Sequence, residues 1–406
     1  MTLAISKRRN QFYEFAVDFK GRLLYFNRRI LVLLTVLILS GSLSVGSQVL
    51  KAVSTPIADK VSLSQPLTVR WRYVTNATLN LTPASDNARV YLPLAAGLIV
   101  SLNASDGQLY WKSEIGGEFT ASPVADDKAV YVAAETTVAE AEHRSPKGSI
   151  RALGKEAGVT LWFRDLPVPI HGSLAMSANH IFAGTADGGF YSFDKVTGEN
   201  NWFVQLGSPL NCTPTIAGDS VFVGDEDGQL TALEETTGKV RWRFHTNGPV
   251  RGPVSVTNGT VYLGSGDGYV YALGEADGRQ HWRTRTGAGV QAVKSVSRGV
   301  LVASFDNFVY LLHFQKGKRL WKRQLPGRIT AQPVTTEDGA LFTPLAGDVA
   351  VVLAMRDGKQ VNRLPTGTGT NTAASPLIVN DAVLLTTDQG LLAFTQPGKV
   401  NAASQR

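Results

Sequence analysis

The sequence predicts an all-β fold: an eight-bladed β-propeller of four-stranded antiparallel blades, preceded by one N-terminal transmembrane helix. Three observations carry this. All seven tryptophans (Trp71, Trp111, Trp162, Trp202, Trp242, Trp282 and Trp321) fall in one series with steps of 40, 51, 40, 40, 40 and 39 residues. A period near 40 with strand-like contents is the mark of propeller blades. Between the tryptophans recur short runs of alternating apolar residues closed by Asp-Gly or Thr-Gly, and one uncharged apolar stretch, residues 30–50, stands ahead of the series.

One unit shows the internal logic. Residues 252–256 (GPVSV) start a first strand, 260–264 (TVYLG) a second, 269–273 (YVYAL) a third, and 279–284 a fourth that carries Trp282. The Gly266-Asp267-Gly268 and Ala276-Asp277-Gly278 segments turn the chain between them. Asp-Gly between alternating runs is a strong hairpin signal, because the second turn residue takes positive φ. A small sheet that is apolar on both faces must stack against neighbours, and stacked blades close into a ring.

The pattern recurs at 181–193, 221–233 and 300–312 and weakens at 341–353 and 383–394. Blade starts at Leu81, Ala121, His171, Cys212, Gly252, Ala292, Ala331 and Ala374 make eight, with Asn362 in the place of an eighth tryptophan. The last start has three strands before the sequence ends. The orphan stretch around Trp71 is of the outer, tryptophan-bearing type, so it is expected to complete the eighth blade and leave no open edge.

Repeats of this form, with Ala232-Leu233, Thr237-Gly238 and Ala272-Leu273 at their fixed places, resemble the PQQ-like β-propeller repeat family. Within it the chain is most similar to the BamB-type outer-membrane assembly propellers, a resemblance covering residues 67–396. It implies a non-enzymatic scaffold that binds envelope proteins. Two departures count. BamB-type proteins are lipoproteins, and here the lipid-bearing cysteine is missing and an apolar stretch stands in its place. The quinone-dependent dehydrogenases of the family carry a vicinal cysteine pair, whereas this chain has one cysteine, Cys212. No catalytic residue, cofactor or metal is therefore expected, and the rival readings are a quinone- or ligand-binding sensor and, behind it, an oxidoreductase.

The leader fits a membrane topology. Residues 1–29 hold seven cations (Lys7, Arg8, Arg9, Lys20, Arg22, Arg28 and Arg29) against Glu14 and Asp18, which is +5 of the chain's +7. Charge confined to a leader beside an apolar run sets orientation, and the body has no basic block of the kind nucleic-acid binding needs. About 20 residues at 1.5 Å each reach about 30 Å, a bilayer core. The expected organisation is a cytoplasmic leader at 1–29, a signal-anchor helix at 30–50, a tether at 51–66, the propeller at 67–396 and a tail at 397–406. This implies a bacterial inner-membrane, single-pass, monomeric protein with its propeller in the periplasm. The competing reading is a cleaved signal peptide, since residues 40–47 (SGSLSVGS) are small and weakly apolar.

Chemistry is sparse. The six histidines show no metal-ligand spacing, and Asp225, Asp227 and Gly228, which mimic the opening of a calcium loop, match plain hairpin turns in the sister blades. Cys212 reads as a buried strand residue. Two features suggest partner binding. The step of 51 contains an insertion of eleven residues around 135–147, with Glu135, Glu140, Glu142, His143 and Arg144, expected as a loop between the second and third strands of blade two. Polar residues at the starts of inner strands (His171, Asn211, Arg251, Gln291, Lys294 and Arg328) are expected to gather at one positive mouth of the central channel.

Overall fold

The computed structural model describes residues 61–140, 143–345 and 347–398, together with three leader strands. Those strands, Ile5–Arg8, Gln11–Val17 and Leu23–Asn27, form an antiparallel meander, a structure the sequence reading did not anticipate. The leader belongs to one compact unit, Met1–Ile57, and Ala58–Arg406 form another. The apolar stretch 30–50 lies outside the described residues, and among those described no helix is long and apolar enough to cross a membrane.

The larger unit is the eight-bladed propeller. Its eighth sheet runs Leu377–Val379, Ala382–Thr387, Gly390–Thr395 and then Thr68–Val74, so the first strand of the ring completes the last blade. The pairing is antiparallel, with Thr68 opposite Thr395 and Val74 opposite Gly390. A bidentate ion pair fastens it, Arg70 donating to Asp381 at 3.1 and 2.8 Å.

The core is divided into eight apolar clusters, each packed between two neighbouring blades. The tryptophans build these junctions. Each indole N–H donates to a backbone carbonyl of the next blade, at 2.7 to 3.3 Å: Trp71 to Ala104, Trp111 to Lys155, Trp162 to Lys195, Trp202 to Glu235, Trp242 to Glu275, Trp282 to Phe314 and Trp321 to Met355. A buried indole needs such an acceptor, so the 40-residue period is a period of blade-to-blade hydrogen bonds.

Two further repeat positions follow from the same packing. The glycine of each turn between the third and fourth strands in blades one to seven, as at Gly198, Gly238 and Gly278, lies on the preceding blade's indole. At Gly238 a Cβ would stand 2.6 Å from Trp202 Cε3, and φ there is +70°, so both space and backbone require glycine. The residue paired with the tryptophan is small in most blades (Ala232 opposite Trp242, Ala272 opposite Trp282), and a β-bulge follows it. The Ala-Leu signature marks that bulge.

The structure departs from the sequence reading in two places here. The innermost strands are shorter: the first strand of blade five is Ser255–Thr257. Pro253 has no N–H to donate, and polar groups near the channel bond to the next blade instead, as Thr215 Oγ1 does to Val254 O (3.2 Å) and Ser295 N to Ser255 Oγ (2.8 Å). Residues 61–66, assigned above to the tether, are packed. Val61 and Leu63 are buried between blades seven and eight, and Ser62 Oγ and Ser64 N donate to Asp338 at 2.6 and 2.9 Å. Asn362 makes this possible. Its side-chain amide donates to the carbonyls of Leu63 (3.2 Å) and Gln65 (2.6 Å), where the other blades use an indole.

Candidate interaction surface

Antiparallel strands fix which connections share a face. The turns between strands two and three lie with the crossings from strand four to the next blade, on what we term the upper face. The turns between strands one and two, and three and four, lie on the lower face, where residues 61–67 join the ring.

On the upper face blade two stands out. Its second and third strands are Ala129–Glu140 and His143–Gly154, each twelve residues long and paired in register out to Glu140 opposite His143. The insertion is thus a β-hairpin extension and not the loop expected from sequence. The β-branched run Thr136, Thr137 and Val138 favours continuing the ladder, and Glu118–Phe119 docks on Ala134 and Glu135. Gly117 permits that approach, since a Cβ there would lie 2.2 Å from Glu135 O. The outer strand Thr160–Leu166 pairs only as far as Gly148. Pro146, opposite Thr137, therefore sits on an edge where a missing N–H is tolerated. Of the proposed contact residues, Glu135 is half-buried at the base, Glu140 pairs with His143 at the tip, Arg144 stands opposite Ala139, and Glu142 lies outside the described residues.

The six mouth residues do not form one positive cluster. Asn211 and Arg251 converge on Glu226 of a strand two–three turn, Arg251 through Nε at 2.9 Å and Nη2 at 2.6 Å, Asn211 through Nδ2 at 3.0 Å. The Arg251 bond holds the Glu226 carboxyl below its ordinary range, and the pair neutralises the cation the mouth was expected to present. His171, half-buried, donates its backbone N–H to Gly184 O at 3.1 Å. Gln291 is built into a seam between blades, donating to Thr330 O (2.9 Å) and accepting on its carbonyl from Gln332 (3.1 Å). Lys294 Nζ reaches only Pro333 O at 3.4 Å, and burial pulls its pKa down. The Arg328 guanidinium lies over the Phe305 ring at 4.8 Å.

In blades three to eight the strand two–three turns carry eight acids and no lysine or arginine. Four of these acids, Asp187, Asp225, Asp267 and Asp306, hold their own turns: Asp225 Oδ1 accepts from Gln229 N at 2.7 Å, and Asp267 from Tyr269 N and the Tyr271 hydroxyl at 2.9 and 2.6 Å. Burial, then the neighbouring Asp227, pushes the Asp225 carboxyl upward. The calcium-like run is a hairpin turn, and among the described residues no group of three or more His, Cys, Asp or Glu could hold a metal ion. His180 Nδ1 contacts Glu235 Oε1 at 3.0 Å across a blade junction. Cys212 is buried, its thiol pushed up to about 12. The lower face holds a cavity of about 830 Å3 lined by Val61, Val296, Thr335, Glu337 and Ile378 among others.

Sequence reasoning missed Glu226, whose only signal was an acid one turn from the Arg251 crossing. It also missed Asp338, the acceptor for the first residues of the ring.

A closed ring of eight blades, seven of its junctions pinned by tryptophan and one by Asn362, with one lengthened hairpin on a polar face, defines a repeat β-propeller. The chain belongs to the family described as outer membrane protein assembly factor BamB, whose pattern it matches over residues 60–143, 146–253 and 236–405. It is 32% identical over 105 residues to the outer membrane protein assembly factor BamB of Shewanella oneidensis, a match spanning 25% of this chain and 24% of that relative. Its fold is similar to the crystal structure of BamB from Moraxella catarrhalis, with a TM-score of 0.68 at 17% identity, over 83% of this chain and 99% of that one. The computationally designed Ika8 protein is also similar, with a TM-score of 0.69 at 16% identity, over 80% of this chain and 99% of its own.

Proposed function

We propose that this propeller is an extracytoplasmic, non-enzymatic scaffold of the bacterial envelope that binds partner proteins in outer-membrane protein assembly. It is held at the inner membrane by residues 30–50, with its N-terminus in the cytoplasm. The observation that carries the reading is the blade-two hairpin, Ala129–Glu140 with His143–Gly154, standing on the same face as the Asn211–Glu226–Arg251 group. An insertion in a repeat array falls on one face and is often its contact surface. The name of the relatives supports the assembly role, and the apolar stretch supports the anchor.

The test is site-specific photo-crosslinking in intact cells. Crosslinkers at Thr136, His171 and Arg251 are expected to yield adducts with envelope proteins, and one at Asn258 on the lower face is not. Adducts confined to Asn258 would sink the reading. A small-ligand sensor is the second reading, favoured by the lower-face cavity. Titration of the purified chain with pyrroloquinoline quinone and calcium, followed by absorbance and melting temperature, decides it, a saturable shift supporting the ligand.

A further inference from the structure

Among the described residues nine large apolar side chains are strongly exposed, and seven of them stand at the lower edge of the ring. Their distribution is not even. At the position just before the tryptophan, or before Asn362, blades six, seven, one and two place Leu320, Val361, Tyr110 and Leu161, exposed by 50, 43, 51 and 57%. Blades four and five place Arg241 and His281 there. Blade eight, in the middle of the apolar arc, has Arg70, tied to Asp381. The arc is therefore centred on blade eight, next to the junction where residues 61–67 join the ring.

Charge follows the same geometry. The strand three–four turns of blades six and seven carry Lys316, Lys318, Arg356 and Lys359, with Arg319 beginning the next strand, against the single acid Asp357. The upper-face turns of blades three to eight are wholly acidic. Arg89 lies over the Tyr110 ring at 4.4 Å with its charge paired to Glu156, so Tyr110 enters the rim as an aromatic and the rim's cations are those of blades six and seven. Exposed apolar residues mixed with Tyr, Lys and Arg make up a surface that settles at the headgroup boundary of a bilayer. Cations add attraction to anionic lipid. Residues 51–60 reach at most about 35 Å when fully extended. A ring joined through them to a span at 30–50 stays within that distance of the membrane on the side where its apolar arc lies.

We propose that the lower rim of blades six, seven, one and two rests on the surface of an anionic lipid bilayer, tilting the ring so that blades four and five are lifted and the upper face turns away. This rests on the reading of residues 30–50 as a membrane span. The test uses the full chain in vesicles of phosphatidylglycerol and phosphatidylethanolamine that contain a lipid-borne quencher. Single cysteines at Leu320→Cys and Leu161→Cys, and at the matching Arg241→Cys and His281→Cys, carry a fluorophore, the buried Cys212 staying unlabelled. Quenching at the first two is expected to exceed that at the second two by at least about threefold. Equal quenching at all four positions, in a chain that resists alkaline carbonate extraction, overturns the inference and leaves the anchor standing. Protection from a water-soluble quencher without lipid quenching also overturns it, since a protein then covers the rim. Extraction of the chain by carbonate sinks the anchor reading and the inference together.

Discussion

Replacing Gly238 by alanine tests the physical basis of the blade junction. Gly238 has φ of +70° and lies on the Trp202 indole, where a Cβ would come within 2.6 Å of Cε3 and 2.7 Å of Cδ2. Holding a non-glycine residue in the left-handed region costs about 1 kcal/mol or more. Forcing a methyl group into a filled junction costs about 1–3 kcal/mol. Gly238→Ala should therefore destabilise by about 2–4 kcal/mol. Gly218 is the internal control: its φ is +57°, yet nothing lies within 4 Å of its would-be Cβ, so Gly218→Ala should lose only the backbone part, about 1 kcal/mol. Urea denaturation of the purified chain, followed by tryptophan fluorescence, compares the two. Equal losses would refute the claim that the Thr-Gly signature exists to seat the indole.

Three other outcomes follow from the ring's closure. Arg70 and Asp381 are mostly buried and bidentate, so a double-mutant cycle to alanine should show a coupling of about 1 kcal/mol in unfolding, and zero coupling would remove the pair from the closure. Asn362→Ala leaves the Leu63 and Gln65 carbonyls without their donor and should cost about 1–2 kcal/mol, with faster proteolysis at residues 61–67; unchanged proteolysis counts against the amide acting as the indole's substitute. Burial alone would raise Asp338, but hydrogen bonds from Ser62, Ser64 and Thr336 hold it well below the usual carboxylate range. A depressed folded pKa means stability that is present above the unfolded value near 4 and lost as pH falls through it toward the folded value. Limited proteolysis should therefore release residues 61–67 on acidification below about pH 4 in the native chain, and Asp338→Asn should flatten that dependence.

The sequence by itself determined the ring. Seven indoles at one period report a packing contact repeated from blade to blade, and a contact that must recur with the same geometry leaves its residues at fixed spacing. The orphan strand around Trp71 was legible for the same reason, since a blade lacking its fourth strand and a strand lacking its blade have one economical solution. What the tertiary structure decided were the features that occur once. Asn362 takes the place of the missing indole and holds residues 61–66, which composition alone marks as a tether. Glu226 neutralises Arg251 and removes the positive mouth, and Gln291 and Lys294 turn into the seams between blades. The blade-two insertion, expected as a loop, is a paired ladder with Glu118–Phe119 docked at its base. The apolar arc at the lower rim is spread over residues from Tyr110 to Val361 and becomes one surface only when the ring closes. Periodic contacts are written in spacing, whereas single contacts depend on which distant segments the closed ring brings together, and neighbours along the chain carry no record of that.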